Sequence, residues 1–162
     1  MLNLLAEAIL GPLGTAIGER VKALHQFNQP AAQFSINTTT LVDWPGMSFD
    51  IKSGEKWIFD IKLYSVSLNA ASDLRGSIVA DGTGEWSFTN PENAASKTQA
   101  IGAASTSVAV ATGTGANTDR LSIDGIITAT ADTTVQLQLR NNAGTITQTF
   151  SEHSHISARR VG

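Results

Sequence analysis

Cysteine is absent from the 162 residues. Disulfides and thiolate metal sites are therefore excluded, and hydrophobic burial, strand pairing and self-association must hold the chain together. Charge is scarce too: Asp, Glu, Lys and Arg make up 15%, against about a quarter in ordinary soluble domains, so Ser, Thr, Asn, Gln and Gly must dress the surface. Positive charge is shortest, with 11 Lys and Arg against 14 Asp and Glu and a formal net charge of -3. Such a chain offers no clustered basic face for phosphate backbones, and nucleic acid is not an expected partner. An uninterrupted long apolar run is also missing. The opening MLNLLAEAILGPLGTAIGERV carries Glu7, Gly11-Pro12 and Gly14 within it and meets its first cation only at Arg20. It is read neither as a signal peptide nor as a membrane span, and no membrane partner is expected.

What is present divides by period. In residues 2–27, Leu5, Ile9, Leu13, Ile17, Val21 and Leu24 recur three or four apart, which predicts an amphipathic helical arm. Gly11-Pro12 predicts a kink or two short helices, because proline removes a backbone donor and crowds the preceding turn. Asn28-Gln29-Pro30 supplies the stop. From residue 33 the period becomes two. Strands are predicted over 33–42, 47–51, 56–67, 74–79, 85–89, 105–111, 120–131, 133–140, 145–150 and 155–161, with turns at Pro45-Gly46, Ser53-Gly54 and Asp81-Gly82-Thr83-Gly84 among others. The alternation is plainest in Trp57, Phe59, Ile61 and Leu63, and again in Val135, Leu137 and Leu139; each set marks a strand wet on one side. Residues 93–115, rich in Ala, Ser, Thr and Gly, read as a long loop with at most a weak edge strand. The expected fold is mainly β: an antiparallel β-sandwich or jelly roll over residues 31–162 behind an N-terminal helical arm over 1–30.

Over residues 35–162, the succession NTTTLVDWPGMSFDIKSGEKWIFDIKLY, SDLRGSIVADGTGEWSF, IDGIITATADTTVQLQLRNNAG and HISARRV resembles a β-sandwich domain recurrent in head-fibre, decoration and other structural proteins of tailed phages. The matching positions are the Thr-rich Thr38–Leu41, the Gly54–Tyr64 turn and aromatic strand, Gly82–Trp86, the Gln-rich Val135–Arg140 and the closing Ala158–Val161. A proline frequent in that pattern near residues 80–83 is replaced by Ala80-Asp81-Gly82-Thr83. The resemblance implies a non-enzymatic virion component, with neither cofactor nor metal, on the capsid exterior as a decoration, cement or head-fibre protein. It also implies a homo-oligomer, a trimer by that likeness alone, contacting the major capsid protein or another virion protein.

The arm residues Leu5, Ile9, Leu13, Ile17, Val21 and Leu24 are the candidate docking and oligomerisation residues. Fully buried, each is worth about 1.5–3 kcal/mol, so some surface must cover them, either their own sandwich or a partner. His153 and His155 stand two apart on a predicted strand, a spacing metal sites use, but one chain supplies few further ligands and the expected reading is surface polarity. Carboxylates such as Asp43, Asp50, Asp81, Asp124 and Asp132 read as turn residues. Neither Asp81–Gly84 nor Gly113–Gly115 carries the Lys-Ser/Thr of a phosphate loop. A rival expectation is a tail-fibre receptor-binding module that recognises host glycan. Its aromatic platform would rest on Trp44, expected exposed in the Pro45-Gly46 turn, since Trp57 and Trp86 fall in phase with core positions.

Overall fold

A computed structural model describes residues 24–67, 73–90, 95–101, 108–112, 120–143 and 146–162. Every regular element among them is a strand: β1 (His25–Asn28), β2 (Phe34–Ile36), β3 (Val42–Ile51), β4 (Lys56–Ser67), β5 (Asp73–Val79), β6 (Gly82–Asn90), β7 (Ala95–Ile101), β8 (Val108–Thr112), β9 (Arg120–Ala129), β10 (Thr133–Asn141), β11 (Gln148–Phe150) and β12 (His155–Arg160). All pairings are antiparallel. From β3 to β10 the first strand pairs with the last and so inward, β3 with β10, β4 with β9, β5 with β8 and β6 with β7. A long hairpin folded over in this way gives two sheets, β3-β10-β5-β8 and β4-β9-β6-β7, which is the jelly-roll arrangement of the β-sandwich. Strands β12 and β1 extend the second sheet beyond β4, and β11 with β2 joins it beside β4.

The core lies between the sheets. Trp57, Phe59, Ile61 and Leu63 of β4 face Met47, Phe49 and Ile51 of β3 and Val135, Leu137 and Leu139 of β10 in one buried cluster. The period-two reading of β4 and β10 is therefore correct. Gly125 of β9 is small for a packing reason: a Cβ there would sit 2.2 Å from the Phe59 ring.

Four expectations are corrected. Residues 25–28, assigned to the helical arm, form β1, which pairs with β12 in the register His25 to Arg159 through Asn28 to Ile156. The sheet thus begins six residues before the expected boundary at 31. Tertiary pairing overrides the local stripe because alternate side chains of β1 reach the free edge of β3. Gln26 donates to Asp50 O (2.5 Å) and accepts from Asp50 N (3.2 Å), and Asn28 donates to Ser48 O. Amide side chains thereby occupy backbone groups that an edge strand would leave open.

The Pro45-Gly46 turn is no turn between strands, because β3 runs through it with a bulge. Asp43 pairs with Gln138 and Ser48 with Gln136, leaving residues 44–47 opposite a single residue of β10. Gly46 takes φ +81° there. Gln136 Nε2 fills the gap, donating to the carbonyls of Leu137 (2.7 Å) and Trp44 (3.1 Å). The strand predicted over 33–42 is only Phe34–Ile36, and Val42 already belongs to β3. Finally, 93–115 is not one loop: β7 pairs with β6, where no strand is expected, while β8 pairs with β5 and overlaps the strand expected over 105–111. Backbone pairing to β6 sustains β7, whose largely polar sequence carries no apolar alternation.

Candidate functional site

The outer face of the extended sheet is where unusual chemistry collects. Inward residues of β4 and β9 fill the core, so the alternate positions must face out. Register aligns these outward residues into rows across five strands. One row runs Phe27 of β1, Ser157 of β12, Asp60 of β4, Asp124 of β9 and Ser87 of β6. The row beside it runs His25, Arg159, Ile58, Ile126 and Glu85. A shallow cavity of about 460 Å³ opens between these rows, lined in part by His25, Asp60, Asp124 and Arg159.

Asp60 and Asp124 stand directly opposite each other on neighbouring strands. Partial burial, then the adjoining Asp60 carboxyl, raise the Asp124 pKa above the usual carboxylate value, with Lys62 opposing. Lys62 Nζ is held 2.6 Å from Asp60 Oδ2 and donates to Ser122 Oγ at 3.0 Å.

Rings cluster at one corner of the face. Phe27 is 60% exposed and its ring lies 5.2 Å from that of His155, which is 6.3 Å from the Tyr64 ring. The Arg120 guanidinium sits 5.5 Å over Tyr64, a cation–π distance.

Of the expected docking residues, Leu5, Ile9, Leu13, Ile17 and Val21 lie outside the described residues, and Leu24 adjoins β1 with 48% of its surface exposed. His153 and His155 do not share a strand face: His153 lies in the turn before β12, and its carbonyl contacts His155 Nδ1 at 3.2 Å. Among the described residues no group of three or more His, Asp or Glu is placed to hold a metal ion. Nor is any helix there long and apolar enough to cross a membrane. Trp44 overturns the exposed-platform expectation. It is 1% exposed, stacked on Phe34 at 5.1 Å and tilted against Phe150 at 5.2 Å, because the bulge turns it inward.

The alternation of Trp57, Phe59, Ile61 and Leu63 leaves Asp60 on the wet face of β4. What sequence reasoning missed is Asp124 as its neighbour, since cross-strand register is not visible in the order of residues.

No family model matches this chain. No curated protein matches it either. Among solved structures the chain is similar to the Clostridium thermocellum N-terminal endo-1,4-beta-D-xylanase 10B CBM22-1-GH10 modules complexed with xylohexaose, with a TM-score of 0.33 and 10% identity. The match covers 84% of this chain and 26% of that one, so the chain spans about a quarter of that structure. The jelly-roll assignment stands on the strand pairing itself.

Proposed function

We propose that the chain is a non-enzymatic structural protein of a tailed-phage particle, a capsid decoration, cement or head-fibre subunit. In this reading it self-associates, as a trimer, and meets the major capsid protein or another virion protein through its N-terminal segment on the capsid exterior. The observation that carries the reading is the edge strand β1. It is the outermost strand of the larger sheet, it bears exposed Phe27, and it continues from exposed Leu24, the last member of the apolar stripe that begins at Leu5. Exposed edges and adjoining apolar residues favour covering by another chain. Several such contacts in one assembly add through multivalency, without any chemistry at a reaction centre.

The test is removal of residues 1–23, which spares β1 and the side-chain bonds of Gln26 and Asn28. The full chain is expected to run as an oligomer in size exclusion with light scattering and to decorate empty heads. The truncated chain is expected to stay folded, run as a monomer and lose decoration. A monomeric full chain, or a truncated one that still decorates at full occupancy, would overturn the reading.

A further inference from the structure

The geometry points to the outer face of the β1-β12-β4-β9-β6 sheet as a groove that binds an extended, uncharged, hydroxyl-rich chain, a neutral polysaccharide, without cleaving it. It does not rest on the assembly reading, although both draw on the exposed Phe27 of β1, and of the tryptophans only the buried Trp86 borders the trough.

The shape argues for an extended ligand. The cavity of about 460 Å³ shares Asp124 and Gly125 with a second of about 290 Å³, which shares Glu85 and Ile126 with a third of about 310 Å³. Together they make one trough running across the strands and open along its length, where a compact ligand would need a closed pocket.

The lining argues for hydroxyls. Asp60, Asp124 and Glu85 present carboxylates, which accept hydrogen bonds and, when ionised, cannot donate them. The ligand must therefore supply donors. Ser157 and Ser87 in the same row add groups that both donate and accept. Half-buried Ile58 and Ile126 form an apolar strip in the adjoining row, and the exposed Phe27 ring stands at the end of the carboxylate row. A pyranose ring has both properties at once, C–H faces for the apolar strip and the aromatic ring and equatorial hydroxyls for the acids.

Competing chemistries fit worse. A phosphate-bearing chain meets three carboxylates. A cationic peptide meets Arg159 in the wall of the first cavity and Lys56 in that of the third. A purely apolar ligand would strip water from the acids and return no hydrogen bonds.

The experiment is native affinity electrophoresis of the full chain through gels containing arabinoxylan, barley β-glucan or galactomannan, with polylysine as competitor. At least one polysaccharide is expected to retard the protein. Phe27→Ala, at an exposed position, and Asp124→Asn, which keeps the side-chain shape, are each expected to weaken that retardation about tenfold while thermal melts show both variants folded. Polylysine is expected not to relieve it. Absence of retardation in all three gels, retardation unchanged in both folded variants, or its abolition by polylysine would each overturn the proposal. Asp124→Asn, on β9 and away from the β1 edge, separates these outcomes from the oligomer assay above.

Discussion

Glu55 holds the carboxyl end of the domain in place. Its carboxylate accepts from Lys52 N (3.0 Å) and Trp57 Nε1 (2.9 Å) and lies 2.7 Å from Arg160, with only 15% of the side chain exposed. Burial alone would raise its pKa, but the Lys52 and Trp57 hydrogen bonds, helped by the charges of Arg160 and Lys52, outweigh it and hold the group below its ordinary 4.5. A depressed carboxylate pKa stabilises the fold above about 4.5, and the contribution is lost as pH falls through the folded value. Glu55→Gln is expected to cost about 1–3 kcal/mol at pH 7, and to flatten the acid side of a plot of melting temperature against pH. Asp124 has the opposite sign. Its pKa is raised, first by burial and then by Asp60, so its contribution is complete below about 3.8 and is lost as pH rises through the folded value. Like charges directly opposite on neighbouring strands destabilise by roughly 0.2–1 kcal/mol, here reduced by solvent. Asp124→Asn is expected to raise the melting temperature at pH 7 by about 1–2 °C and to leave it unchanged near pH 3. A fall at pH 7 would contradict the repulsion.

At the scale of the element, β4 and β9 are joined by a pairing of large with absent side chains. Phe59 lies opposite Gly125, and its ring occupies the volume any Cβ at 125 would need. Gly125→Ala is expected to destabilise by about 3 kcal/mol, and adding Phe59→Leu should recover part of the loss. Denaturant melts of the two single variants and the double variant measure that coupling. Elements whose residues carry their own pattern were legible beforehand: Trp57, Phe59, Ile61 and Leu63 announced β4, and Val135, Leu137 and Leu139 announced β10. Elements defined by a neighbour were not. Strand β1 follows a helical stripe that ends at Leu24 and becomes a strand through β12 and β3, while β7 exists through β6. Trp44 reads as a turn residue because Pro45-Gly46 follows it, and only the bulge with Gln136 shows why a strand can contain that pair. The groove was half visible: the outward phase of Asp60 could be read, its apposition to Asp124 could not.

For the molecule as a whole, nested pairing means that the first strand of the jelly roll finds its partner last. Ile51 of β3 meets Thr133 of β10 and Val42 meets Leu139, so long loops must close before these contacts stabilise anything. Refolding is expected in the millisecond-to-second range or slower, measured by stopped-flow tryptophan fluorescence, since Trp44, Trp57 and Trp86 all enter the core. A dominant microsecond phase carrying the full amplitude would contradict it.

Strand β1 stands outside that nest, four residues long, zipped antiparallel to β12 with His25 beside Arg159. A tether pulling on Leu24 would load these pairs one after another instead of shearing them together. Under tension the domain should therefore peel at this short seam first, with the eight nested strands still intact behind it, yielding at low force like a tear strip.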